Sequence, residues 1–408
     1  SSSKMRYRGR NPITYWLLNA YIGDAILQKD GDLTKIILDK SEYMNLFVLQ
    51  TPYQLLSAIE AIHHLKFANN VLIIPLLGLF PKQGFKRILN DQYWQKVQYI
   101  NFQYRLTSYD FEANPPRNLY ERGLELYLTL DQCMKKILIN RLARSYSSVE
   151  NLILGNYLID HDLHMRHLAN RITFQNLYLM DVGTDTLRIN RQRRSETLSN
   201  PMNHVNNDFR HLNLKQKLRR ILVDWDTTGV ESLTFFSCYD FEVSGKDRYI
   251  KNDYIHLRSL AKKALISDEV WFVAQPLVDQ EYLTLSLYLD YLRRVRAHIG
   301  NKNFIYIAHP RESSQALKAV RETLNIEIRR FSAPIEYEAT AGGTRPRGIA
   351  SFFSSALDTF GAIFEGVMDI KAYRIQEKDL LKDQDVVAKI YQHLMDRRRG
   401  LVELITLA

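Results

Sequence analysis

Cysteine is nearly absent: Cys133 and Cys238 are the only two in a chain of 408 residues. A disulfide framework is excluded, and although two thiols can still pair, a reducing compartment is the expectation. Long apolar runs are missing too, since none reaches the roughly 18–20 residues that cross a bilayer. The first ten residues, SSSKMRYRGR, contain no apolar stretch of the kind a secretory signal needs. These gaps predict a cytoplasmic protein. Zinc-finger spacing, an RNP-type aromatic motif and a bZIP heptad are also lacking, so nucleic acid is not an expected partner. No Asp-x-Asp stands at a strand end, which predicts chemistry without a bound metal.

What is present is ordinary in amount: 46% apolar and 25% charged residues, the balance of a soluble globular protein. The length exceeds one comfortable core and predicts two domains. The formal charge of +10 gathers at 191–194 (RQRR), 215–220 (KQKLRR), 293–296 (RRVR) and 397–399 (RRR). Solvated helix faces explain such clusters, while anionic lipid or a phosphorylated small molecule would also suit them. A peripheral hold on an anionic inner-membrane surface stays open.

Residues 1–43 read as an extension, with a short amphipathic helix over 13–27 that could pack between subunits of a homodimer. From 44 onward, strands and helices alternate. Apolar runs at 44–49, 70–77, 97–102, 148–154 and 176–180 read as buried strands, with helices over 122–144 and 161–169. The pattern blurs from 186 to about 254. It resumes with strands at 269–274, 303–308 and 325–330, helices over 280–296 and 313–324, further apolar runs at 348–353, 362–367 and 370–373, and a closing helix from 384. Alternation of this kind predicts parallel sheets covered on both faces. The expected fold is α/β, two Rossmann-like domains facing a central cleft. The predicted units are an extension at 1–43, a first Rossmann-like domain at 44–245, a second at 246–383 and a closing helix at 384–408.

Ligands of open α/β sheets sit beyond the carboxyl ends of strands, and several of these ends carry chemistry. Asp181-Val182-Gly183 follows the run NLYLM. Asp is an ordinary turn former, yet a carboxylate there can take a proton from an attacking hydroxyl. His309-Pro310 ends FIYIA. A turn histidine is the ordinary explanation, with Pro310 at a first helical position, but a rigid imidazole can also donate to a departing phosphate. Ser354-Ser355 follow GIASFF; helix capping and anion binding at a helix N-terminus are compatible there.

The three motifs in this order resemble the bacterial lipooligosaccharide sialyltransferases (glycosyltransferase family 52) and the related polysialyltransferases. Supporting stretches are LFVLQTPYQLL (46–56), LILGNY (152–157), VAQPL (273–277) and IASFFSSAL (349–357). The resemblance covers most of 44–373. It implies a GT-B fold and an inverting transfer of sialic acid from CMP-sialic acid to a glycan hydroxyl of lipooligosaccharide or capsule. By the same resemblance Asp181 is the general base and His309 the acid or cationic partner of the CMP phosphate. Pro310, Ser354 and Ser355 bind the donor, as do Glu336 and Gln275. Gln50, Thr51, Asn156 and Tyr157 border the acceptor, and Gly342-Gly343 form a loop that orders over the donor. Neither cofactor nor metal is implied. Val182 stands where the family has a second acidic residue, so any support from that carboxylate is lost. Another CMP-nonulosonic acid or CMP-Kdo as donor stays open, as does a basic, non-catalytic protein that binds nucleic acid or anionic lipid.

Overall fold

A computed structural model describes residues 44–76, 82–101, 118–158, 163–183, 185–198, 224–300, 303–397 and 401–407. The helix expected over 13–27 and the basic run at 215–220 lie outside them.

The first sheet holds seven parallel strands: β1 (Asn45–Val48), β2 (Asn70–Leu76), β3 (Lys96–Asn101), β4 (Ser148–Leu154), β5 (Thr173–Met180), β6 (Thr234–Ser237) and β7 (Arg248–Lys251). Their order is β3-β2-β1-β4-β5-β6-β7. The chain steps outward from β1 on one side, then restarts beside it with β4. That reversal opens a crevice beyond the carboxyl ends of β1 and β4. Side chains of β1 alternate between faces, Leu46 and Val48 to one core and Phe47 to the other, as a doubly covered strand requires.

Register at the opposite edge is held by asparagines. Asn70, Asn45, Asn151 and Asn176 are paired across β2, β1, β4 and β5. Asn151 Nδ2 donates to Asn45 Oδ1 at 2.7 Å, Asn45 Nδ2 to Asn70 Oδ1 at 2.9 Å and Asn176 Nδ2 to Asn151 Oδ1 at 2.9 Å. A one-residue slip would break these amide bonds and turn the apolar side chains to the wrong face.

Helices α1 (Pro52–Leu65), α2 (Lys82–Ile88), α3 (Leu119–Ser145), α4 (Leu163–Ala169) and α5 (Asp185–Leu198) accompany this sheet, and α6 (Ile255–Lys263) leads out of it. Thr51 begins α1 with a capping box, its side chain accepting from Gln54 N while the Gln54 side chain accepts from the Thr51 N–H.

The second half carries a small parallel pair, β8 (Leu265–Ile266) with β12 (Thr344–Arg345), and a sheet of six. The six are β9 (Glu269–Val273), β10 (Asn303–Ile307), β11 (Glu327–Arg329), β13 (Gly348–Ser351), β14 (Asp369–Arg374) and β15 (Glu403–Thr406). They run parallel in the order β11-β10-β9-β13-β14-β15, again with a reversal, here between β9 and β13. Its helices are α7 (Leu285–Ile299), α8 (Ser314–Leu324), α9 (Ile335–Ala341), α10 (Ala356–Ile363) and α11 (Gln384–Arg397).

Several expectations need correction. In the region from 186 to about 254, where the sequence pattern blurs, the described residues supply most of α5 and all of β6 and β7, so the first sheet runs past the boundary expected at 245. The closing helix is followed by an edge strand, β15, which pairs with β14. Gly342 and Gly343 are no loose loop. Gly342 ends α9 and Gly343, at φ +74°, turns the chain directly into β12.

The halves meet closely. A Cβ on Gly84 would stand 2.4 Å from Ser332 O, so only glycine allows the two backbones to approach there. Arg87, on the same helix α2, forks onto Glu338 of α9 at 2.7 Å. Glu60 of α1 is 1% exposed and accepts the first free N–H groups of α6, from Leu257 at 2.7 Å and His256 at 3.0 Å. Tyr254, the residue before α6, gives no side-chain cap, so the cap comes from another helix.

Candidate active site

Asp181 stands at the carboxyl end of β5 with no exposed surface. Its Oδ2 accepts the Cys238 N–H at 2.8 Å, from the end of neighbouring β6, and its Oδ1 accepts the Thr186 hydroxyl at 3.2 Å. Thr186 also accepts the Val182 N–H, which fixes the turn after β5. Burial pushes the Asp181 carboxyl up to about 6, and the hydrogen bonds from Ser237, Cys238 and Thr186 oppose that rise without cancelling it. A carboxylate held near neutrality is suited to accept a proton.

Three tyrosines surround this carboxylate. Tyr53, in the first turn of α1, bonds Tyr254 hydroxyl to hydroxyl at 3.0 Å. Tyr239 is 3% exposed, and its hydroxyl is buried with no hydrogen-bond partner among the described residues. All three phenols are raised well above their usual value, by burial first, so they remain donors. Tyr239 feels Asp181 from its own half and Asp358 and Glu336 from the other. Asp181 and the starts of α9 and α10 therefore share one electrostatic neighbourhood. Sequence reasoning missed Tyr53, Tyr239 and Tyr254. Tyr53 was within reach, inside the quoted LFVLQTPYQLL, and Tyr239 stands two residues past TFFS, near a strand end as Asp181 is.

His309 stands after β10, half-buried. Its Nδ1 accepts the Arg311 N–H at 3.1 Å, and its own N–H goes to Glu312 Oε2 at 2.6 Å. With Nδ1 occupied as an acceptor, Nε2 carries the ring proton and is the free donor. Burial, then Arg311 and Arg330, lower the imidazole to about 4. A value there leaves the imidazole mostly uncharged at pH 7; the expectation from sequence is an acid or a cationic partner. Glu312 is buried, takes the Tyr306 hydroxyl at 2.5 Å as well, and is raised to about 7 by desolvation. Pro310 lies in the turn rather than in a helix, because Ser313 caps α8 at Ser314.

Ser354 caps α10: its Oγ accepts the Ala356 N–H at 3.2 Å and its carbonyl the Leu357 N–H. Ser355 is exposed beside it and makes no cap bond. Gln275, after β9, uses Oε1 to accept the Phe353 N–H at 3.1 Å, bridging the two strand ends at the reversal of the second sheet. Glu336 is enclosed, and its Oε1 accepts the Thr359 hydroxyl at 2.7 Å from α10.

The residues expected to border the acceptor all make bonds within the first half. Thr51 is a helix cap, as above. Gln50 is buried and its Nε2 meets His164 Nε2 at 2.9 Å. Asn156 turns the chain by accepting from Tyr157 N and Leu158 N. Tyr157 has no exposed surface, its hydroxyl accepts the Val230 N–H, and Arg166 stacks on its ring. It packs in the core of the first half. The basic clusters divide similarly. Arg193 is buried in a two-pronged pair with Asp247, while Arg293 and Arg296 line a hollow at the opposite edge of the second sheet. No hydrogen bond or ion pair joins Asp181 to His309, which stand on different sheets.

Two open parallel sheets, each reversing beside its first strand, with the chemistry at their carboxyl ends, define a GT-B fold of paired Rossmann-like domains. Several solved structures are similar to the chain at low identity. A UDP-glucosyltransferase from Polygonum tinctorium is 12% identical, with 89% of this chain and 84% of that one covered at a TM-score of 0.43. The spinosyn forosaminyltransferase SpnP is 11% identical over 90% and 86%, at 0.44. UGT2 of Phytolacca americana, in complex with UDP-2fluoro-glucose and pterostilbene, is 13% identical over 88% and 93%, at 0.41. At these values the likeness says nothing about substrate. No family model matches the chain, and no curated protein matches it in sequence.

Proposed function

We propose that the chain is an inverting glycosyltransferase that moves a CMP-activated nonulosonic acid, sialic acid first among them, onto a glycan hydroxyl. The observation that carries this reading is Asp181, a fully enclosed carboxylate raised to about 6 at a strand end beside unsatisfied tyrosine chemistry. In the proposed step Asp181 takes the proton of the acceptor hydroxyl as its oxygen attacks the anomeric carbon. The bond to the CMP phosphate breaks on the opposite face, which inverts the centre. The Nε2–H of His309, the exposed Ser355 hydroxyl and the N-terminus of α10 would receive the charge gathering on the phosphate. That phosphate in turn favours protonation of His309, whose neutral resting form makes it a responsive partner rather than a permanent cation. Since Asp181 has no exposed surface, acceptor entry requires the tyrosine group around it to shift.

The reading is tested by incubating the chain with CMP-sialic acid, CMP-Kdo or UDP-glucose, galactose-terminated acceptors and a chelator, followed by product mass analysis. Transfer from a CMP sugar that survives chelation is the expected result. Turnover of UDP-glucose with none of the CMP sugars would overturn the donor assignment.

A further inference from the structure

Helix α3 has one face in use and one without a partner among the described residues. Leu128, Ile139, Leu142 and Ala143 are buried on its inner side, where Asp131 and Lys135 also pair at 2.6 Å. The outer side shows Leu119 at 85% exposure, Leu126 at 62%, Leu130 at 55%, Met134 at 43% and Ile137 at 40%. At helical spacing these five side chains fall within an arc of about 80°. Arg122, Arg141 and Arg144 are exposed on the same arc or at its margin. The acids of the helix, Glu121, Glu125 and Asp131, all project elsewhere on the same geometry.

An apolar row set among arginines and free of carboxylates matches an anionic bilayer surface in both chemistry and charge. We infer that α3 seats the protein on an anionic membrane, lying in the headgroup plane. Among the described residues no helix is long and apolar enough to cross a membrane, so the attachment is lateral. A second copy of the chain fits this face poorly, because stacking two such faces would set arginines against arginines.

The placement has a consequence for the crevice. A helix of 27 residues is about 40 Å long, whereas the seven residues of β4 span about 23 Å. Since α3 ends where β4 begins, its first turns, with Leu119 and Leu126, overhang the edge at which the strands finish. A lipid-anchored acceptor in that membrane would lie on the crevice side. This last step rests on the proposed transfer reaction; the docking does not.

The test is co-sedimentation of the full chain with vesicles of phosphatidylglycerol and phosphatidylcholine, against vesicles of phosphatidylcholine alone, at low and high salt. Binding to the anionic vesicles that weakens with salt is expected. Leu126→Ser/Leu130→Ser and Arg141→Glu/Arg144→Glu should each lower the partition about tenfold, with unchanged melting and unchanged transfer to a soluble acceptor. Vesicle binding equal to that of the parent in both variants, or no binding by the parent, overturns the proposal. So does a dimer in solution that Leu126→Ser/Leu130→Ser dissolves without any vesicle binding, which would assign the face to a second copy. Loss of transfer with vesicle binding intact would count against the proposed function alone.

Discussion

The carboxylate of Glu312 accepts the main-chain N–H of His309 at 2.6 Å, and the same side chain takes the Tyr306 hydroxyl. The imidazole is therefore aimed by a turn that a buried acid closes, three residues along the chain. Glu312→Ala leaves two enclosed donors without an acceptor, at a cost of about 1–3 kcal/mol each. It should lower the melting temperature and reduce turnover together. Glu312→Gln keeps an acceptor in place and should restore most of both. Equal damage by Ala and Gln would show that charge, not the turn, is what matters.

His309 should report donor binding directly. Its imidazole is lowered to about 4 by burial and by Arg311 and Arg330. A phosphate beside Nε2 favours the protonated form, so added CMP should move the titration upward in a histidine NMR experiment. Unchanged titration at saturating CMP would remove His309 from the donor site.

For Asp181 the sign is opposite to that of an ordinary salt-bridged carboxylate. Its folded value, about 6, is above the 3.8 of the free group. Stability it contributes is present below the lower value and is lost as pH rises through the upper one. The difference corresponds to about 3 kcal/mol of penalty for the buried charge at pH 8. Asp181→Asn should therefore abolish transfer yet melt no lower than the parent at pH 8, with any advantage shrinking toward pH 4. The parent's rate should fall on acidification near pH 6, where the base becomes protonated.

Tyr239 offers a cleaner separation of fold from chemistry. Its hydroxyl is buried and unpaired among the described residues, so Tyr239→Phe removes an unsatisfied group and should not destabilise the fold. If that hydroxyl waits for substrate, kcat/KM should fall about tenfold at unchanged melting temperature, the loss of one hydrogen bond. Full activity in the phenylalanine variant would leave the tyrosine a packing residue.

The two sheets were largely legible because strands such as NVLIIPL and NLIL are continuous apolar runs, the mark of strands covered on both faces. β6 and β15 were not: TFFS and ELIT are four residues each, too short for a period to be read. Which strand ends carry reactive side chains was also readable, since topology puts every such end on one edge. Which way those side chains point was not. Tyr157 and Asp181 both follow strand ends, those of β4 and β5, yet the tyrosine closes a core with Arg166 and Val230 while Asp181 acts on Tyr239, which Asp358 and Glu336 also influence. Such orientation depends on long-range neighbours that local pattern does not encode.

The junction through α6 is fastened at both extremities. Glu60 grips its first turn from one half, and past its last turn β8 pairs with β12 while Arg345 donates to Ala261 O. Such a strut transmits torque instead of absorbing it. Any swing that widens the mouth for a sugar nucleotide must first unlatch one extremity, and the Glu60 latch, raised by burial to about 7, weakens as it gives up its proton and the charge seeks water.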